Sequence, residues 1–113
     1  MSKTPDRGDL AWVDFTPQAG HEQAGHRPAL VISPRIYHRR SKLEVVCPIT
    51  SNIDPWPWKV ELPEGLAISG AVLADQVRSI DRAGRGLKIV GHAPESIVAE
   101  VQGKVAALFG IAR

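Results

Sequence analysis

Residues 16–28 hold the side chains of this chain best suited to chemistry on an anion: His21, Glu22, Gln23, His26 and Arg27, set between Gly20, Gly25 and Pro28. Histidine titrates nearest neutral pH, a carboxylate can take or give a proton, and the planar guanidinium matches two phosphate oxygens at once. Arg27 precedes Pro28, and proline biases the residue before it towards extended geometry. Arg27 should therefore stand at the entry to a strand, its backbone held while its side chain reaches out to grip an anion. The plainer alternative is a surface ion pair with an acid such as Glu22. The segment is too long for a tight hairpin, and loops near this length in compact domains are commonly lids, binding loops or disordered.

The elements that must position this segment are short. Ten glycines and nine prolines punctuate the 113 residues and favour strands and turns. Six β-prone stretches stand out: Leu10 to Phe15, Ala29 to Ile32, Leu43 to Ile49, Trp58 to Leu62, Ala71 to Asp75 and Leu87 to Val90. Six short strands suggest a small barrel. Leu43, Val45, Cys47 and Ile49 alternate with Glu44, Val46 and Pro48, the period of a strand buried on one face. Ala29 to Ile32 is apolar on both sides, as in a covered sheet. A short helix can occupy Pro34 to His38. A longer one is expected from Pro94 through residues 108–109, with Ile97, Val98, Val101, Val105, Leu108 and Phe109 on one arc that packs on the sheet. Ala93 offers no capping oxygen for it.

Composition is that of one globular domain, 43% hydrophobic and 23% charged, so residues 1–113 are expected to fold as a single unit with 1–7 flexible and the helix at 94–109. Cys47 is the single cysteine, which excludes an internal disulfide and fits a reducing compartment. No apolar run nears the roughly 20 residues that cross a bilayer, and the first residues lack a secretory signal. A cytoplasmic location is expected. The net charge of +2 says little, but its placement says more. Arg35, Arg39, Arg40 and Lys42 form one basic run, and Arg78, Arg82, Arg85 and Lys88 another. Such runs attract polyanions or simply solvate a face. No histidine pair has zinc spacing and one cysteine cannot complete a thiolate site, so no metal or other cofactor is expected.

Four blocks carry a family resemblance: Gly8 to Phe15, Glu22 to Ser33, Val46 to Thr50, and Leu73 to Asp81. In this order and spacing, and followed by the Pro94 helix, they resemble the MazF/PemK toxin endoribonucleases of toxin-antitoxin systems. The resemblance implies a mainly β fold, an SH3-like partly open barrel of the CcdB/MazF type with a C-terminal helix, and usually a homodimer. It implies metal-independent cutting of single-stranded RNA, restrained by a cognate antitoxin with an acidic tail. Position by position, it puts catalytic roles on Arg27 and Thr50, supported by Glu22, and puts Asp75, Gln76 and Arg78 near the RNA. His21, Gln23, His26 and Ser51 are the polar groups beside these positions expected to touch RNA.

The chemistry is consistent with the residues. RNA cleaved without a metal supplies its own 2′-hydroxyl as nucleophile, so the protein must remove a proton, stabilise charge on phosphorus and protonate the leaving oxygen. Arg27 suits the second task, and a Thr50 hydroxyl can donate to a phosphate oxygen, although threonine is also an ordinary strand residue. Glu22, His21 and His26 are candidates for base and acid. Trp56 and Trp58 are possible stacking platforms where the family tends to carry a tyrosine-proline-phenylalanine type of motif. Trp58, in phase with Val60 and Leu62, reads as core, Trp56 as exposed, and Trp12 as core or interface. His38 and His92 read as exposed. Two alternatives stay open: a non-catalytic CcdB-like inhibitor of DNA gyrase, and a barrel that binds nucleic acid without cutting it.

Overall fold

The structure, a computed structural model, describes residues 4–15 and 25–111. The expectations for His21, Glu22 and Gln23 lie outside these residues. The described residues form seven strands: β1 (Asp9–Asp14), β2 (His26–Val31), β3 (Leu43–Thr50), β4 (Lys59–Glu61), β5 (Ala71–Leu73), β6 (Arg78–Asp81) and β7 (Lys88–His92). A one-turn helix α1 (Arg35–His38) follows β2, a 3-10 turn (Ala74–Gln76) separates β5 from β6, and α2 (Glu95–Leu108) closes the chain. The sheet runs β4-β5-β3-β2-β1-β7, all antiparallel, with β6 paired to β3. Strands β4 and β7 are left as its ends, so the barrel is partly open, as expected.

Strand β6 is the element the sequence reading did not anticipate. Alone, Arg-Ser-Ile-Asp carries a single apolar residue, too weak a period to announce a strand. Pairing supplies what propensity lacks. The long strand β3 offers β6 its first half, Leu43 opposite Asp81 through Val46 opposite Arg78, and β5 its last two residues, Ile49 and Thr50. The 3-10 turn carries the chain from the last residues of β3 to its first half.

Burial along β3 reverses the expected alternation at its start. Glu44 is fully buried and Leu43 is 42% exposed, while from Val46 to Thr50 both faces are covered. The reason is that the sheet has two cores. Leu10, Leu30, Cys47, Ile49, Val72, Val98 and Val101 form one; Ala11, Val13, Phe15, Ala29, Val31, Val46 and Ile80 form the other. Strand β2 shows this plainly, as expected of its apolar run: Ala29 and Val31 enter one core and Leu30 the other, all fully buried.

Helix α2 buries Val98 and Val101 in the first core, with Ile97 and Val105 packed on its border. The expected arc runs too far: Leu108 and Phe109 are 39% and 66% exposed, because the helix outlasts the sheet beneath it. No side chain caps its start. Arg7 instead pairs with Glu95 (3.0 Å) and donates to Gln102 (3.3 Å), tying the N-terminal segment to the helix. That segment, expected to be flexible, is also held by α1. The Thr4 carbonyl accepts from Arg35 Nε (3.2 Å) and the Asp6 carboxylate from the Arg35 amide (2.9 Å). The Arg35 amide bond, with that of Arg7, holds the Asp6 carboxyl below its ordinary range.

His38, expected to be exposed, is buried. Its Nδ1 faces the Pro5 carbonyl (2.8 Å), which can only accept, so Nδ1 donates there, and Nε2 is hydrogen-bonded with Ser33 Oγ (2.6 Å). Ser33 in turn accepts from the Val45 amide (2.8 Å). A short helix without a cap is thereby anchored through its last side chain.

Candidate active site

Arg27 lies one residue inside β2, opposite Val13 of β1, as the Arg-Pro pair predicts. Across the other edge of β2, Ala29 faces Pro48 and Leu30 faces Cys47. The pairing ends at Ala29; continued two residues along both strands, it would bring Arg27 level with Thr50. Residues level with one another on neighbouring strands project to the same side of a sheet, so this continuation would put the guanidinium and the hydroxyl on one face. Thr50 is only 7% exposed. Its Oγ1 accepts from the Asn52 amide (3.1 Å), and among the described residues no acceptor is found for its hydroxyl proton.

Gly70 fixes the end of β3. It has φ of +124°, and a Cβ there would run into the Thr50 carbonyl oxygen, so the loop before β5 can close on Thr50 only with glycine at this position.

An open depression of about 410 Å³ lies beside the arginine, bordered by Trp12, His26, Arg27, Pro28 and Ser51. Thr50 itself does not line it. Trp12, expected in a core or an interface, is half-buried and stacks flat on His26, with 5.3 Å between ring centroids and 5° between planes. The pairing follows from the register, Trp12 opposite Pro28 and Asp14 opposite His26, which brings the two rings to one side of the ladder.

Arg78 stands opposite Val46, and its guanidinium carbon lies 5.2 Å from the centroid of the Phe15 ring, a cation-π arrangement that holds the charge near the start of the 16–24 segment. Sequence reasoning placed Arg78 but not Phe15, whose role depends on the coiling of the sheet. Arg85 was also missed as a neighbour of the site. Its Nη1 donates to the Asp14 carbonyl (3.3 Å), and its own carbonyl accepts from the Asp14 amide (3.0 Å).

A second cluster forms at residues 51–61. The Trp56 indole N–H donates to Asp75 Oδ2 (3.0 Å), joining two of the expected RNA-contacting residues. Lys59 Nζ staples the loop by donating to the carbonyls of Asn52 (2.7 Å) and Asp54 (2.9 Å). Trp56 is 50% exposed, as expected, and flanks an open depression of about 490 Å³ that shares no lining residue with the first. Trp58 is not core: it is half-buried and lies beside α2 with Gly103 and Lys104, because β4 begins only at Lys59 and leaves the tryptophan outside the strand phase. Gln76 is half-buried in the 3-10 turn. Asp75 Oδ1 is buried without a hydrogen-bond partner among the described residues. Burial, and secondarily the Asp75 charge, push the Cys47 thiol up to about 12, so the one cysteine is an inert core group.

Among the described residues no three histidines, cysteines or carboxylates gather as metal ligands. What the arrangement can do is hold an anion between a guanidinium, a hydroxyl and further cations at the edge of an open surface. The sequence pattern of PemK-like, MazF-like toxins of type II toxin-antitoxin systems matches residues 6–109, and the chain belongs to this family. It is 41% identical over 106 residues to the Escherichia coli K12 endoribonuclease toxin MazF, covering 94% of this chain and 95% of that one. To the E. coli endoribonuclease PemK it is 37% identical, covering 91% and 80%. The crystal structure of MazF from Deinococcus radiodurans superposes with a TM-score of 0.93 at 47% identity, over 97% of this chain and all of that one. A MazE-MazF crystal structure from the same organism gives 0.88 at 47%, over 98% of this chain and 100% of that one.

Proposed function

We propose that this chain is a sequence-selective endoribonuclease toxin that cleaves single-stranded RNA without a metal and is neutralised by a cognate antitoxin with an acidic tail. Membership in a toxin family of type II systems and relatives named endoribonucleases support the class. What supports the chemistry is the β2–β3 pairing, which ends at Ala29 opposite Pro48 and whose continuation along both strands would bring Arg27 level with Thr50. The 2′-oxygen attacks the adjacent phosphorus, its proton passes to a base, and the 5′-oxygen leaves with a proton from an acid. A 2′,3′-cyclic phosphate and a 5′-hydroxyl result. Arg27 stabilises the charge that builds on the phosphoryl oxygens, and Thr50 donates its hydroxyl proton to one of them. Glu22, His21 and His26 are the proton-transfer candidates.

His26, Gln23, Ser51, Trp56, Asp75, Gln76 and Arg78 contact the RNA in this reading, with the Trp56 face as a stacking surface. The protein works as a cytoplasmic homodimer. The test is incubation of the purified protein with a defined single-stranded RNA and EDTA. Cleavage to a cyclic phosphate and a 5′-hydroxyl, abolished by deoxyribose at the cut position, supports the proposal. Binding without cutting leaves the non-catalytic barrel, and survival of all RNA alongside inhibition of gyrase leaves the CcdB-like reading.

A further inference from the structure

The basic runs of the sequence have so far contributed only Arg78 to the chemistry, yet the fold docks the rest of one against the other. The Arg82 amide donates to the Lys42 carbonyl (3.0 Å), and Arg82 Nη1 donates to the Ser41 carbonyl (3.0 Å). Between them opens a cavity of about 760 Å³, within the range of about 300–1,000 Å³ typical of ligand sites. Lys42, Arg82 and Lys88 bring three positive charges to its lining and Asp81 one negative charge, while Leu87 and Ile89 give it apolar wall. One oxygen of Asp81 is already engaged, accepting from the amides of Ala83 (3.0 Å) and Gly84 (3.4 Å). The same β6–β7 turn reaches the active site: Arg85 is bonded to both backbone groups of Asp14, and Asp14 faces His26, the neighbour of Arg27. The β6–β7 turn, which carries Arg82, Arg85 and Lys88, thus ties the cavity to the strand that pairs with His26 and Arg27.

We propose that this cavity is an accessory site for nucleotides of single-stranded RNA flanking the bond cut at Arg27, with phosphates on Lys42, Arg82 and Lys88 and a base against Leu87 and Ile89. The proposal rests on the endoribonuclease reading above. The excess of cations selects a polyanion, and the apolar wall suits a ligand that carries a flat, weakly polar group beside each phosphate. The lining lacks an aromatic side chain to stack on and holds few groups to read base edges, so it adds affinity and leaves sequence choice to the cleavage site.

Lys42 and Lys88 are exposed, and neither lines the depression beside Arg27. Arg82 is left in place, since its Nε lies 4.0 Å from the buried Glu44 carboxylate. The Lys42→Glu/Lys88→Glu variant is compared with the unaltered chain for binding, by fluorescence anisotropy, of RNAs blocked with deoxyribose at the cut position. A strand of about 20 nucleotides should lose roughly 10-fold in affinity, and its log–log salt slope should fall by about 1.4, two phosphate contacts' worth. A strand of about 6 nucleotides confined to the cut site should bind as before. Equal losses on both strands, or none on the longer, overturn the proposal. So does unchanged RNA binding with loss of binding to polyglutamate, which would assign the cavity to an acidic protein segment. Should the charge reversal fail to fold, Lys42→Gln/Lys88→Gln makes the same comparison with a smaller loss. If the unaltered chain binds neither RNA, the endoribonuclease reading itself falls and takes this site with it.

Discussion

The imidazole of His26 lies flat against the indole of Trp12, 5.3 Å between ring centroids, immediately before the arginine on which the proposed chemistry turns. A stacked histidine keeps its ring nitrogens at the rim and directed outward, which suits proton transfer or a base contact better than a freely rotating side chain does.

A double-mutant cycle on Trp12→Leu and His26→Ala should therefore return a coupling of about 0.5–1.5 kcal/mol in stability, the range for aromatic pairs. Cleavage by Trp12→Leu alone should weaken through KM more than through kcat. Additive stabilities would mean that the stack is a coincidence of the backbone.

Arg27→Ala should lower kcat/KM by about 10²- to 10³-fold, as loss of one charge-stabilising donor does elsewhere, with the melting temperature nearly unchanged. Arg27→Lys should recover little, because a point charge cannot replace the two-pronged donor. Thr50→Ser should retain most of the activity and Thr50→Val should not. Steady-state cleavage of a short RNA measures all three.

Gly70→Ala should be among the most damaging small changes. The new methyl group meets the Thr50 carbonyl at a left-handed backbone position, so either β5 separates from β3 or Thr50 shifts. Strain of this kind costs on the order of 1–3 kcal/mol. Thermal melting and cleavage rate should fall together, whereas Gly65→Ala, also left-handed but with nothing near its Cβ, should spare activity.

Glu44 makes stability depend on pH in an unusual direction for an acid. Burial, partly offset by Arg82, pushes its carboxyl from 4.5 up to about 7. The folded chain thus holds a proton that the unfolded chain has already released, and stability falls as pH rises from about 4.5 to 7, by ~3 kcal/mol from this group if the whole shift is realised. Glu44→Gln should flatten that slope and leave the protein more stable than the unaltered chain above pH 7. Urea unfolding at a series of pH values reads both effects, and a Gln variant with the parent's slope would remove Glu44 as its source.

Arg27 was legible because its signal is local: proline constrains the residue before it, and an apolar run follows. The strands at Leu10, Ala29 and Leu43 were legible for the same reason. Glu44 was misread because alternation tells which residues share a face but not which faces are covered, and here the sheet covers both; Trp58 was misread because β4 starts one residue later than its phase implied. His38 defied its polarity because Pro5 and Ser33, far apart in the chain, satisfy both ring nitrogens. Strand β6 is held by its partner β3 more than by its own composition. Arg27 and Thr50 are brought together in the sequence by family resemblance alone; the β2–β3 register, which ends at Ala29 opposite Pro48, adds a direction of continuation that local sequence cannot supply.

Residues 4–8 form a clasp. Thr4, Pro5 and Asp6 bond to α1, Arg7 to α2, and the Gly8 amide to the Val31 carbonyl (2.7 Å). Anyone trimming or fusing this chain would be working on the fastener that locks both helices to the barrel. Cutting back to Asp9 would remove at a single stroke the bonds that this segment makes to α1, α2 and β2.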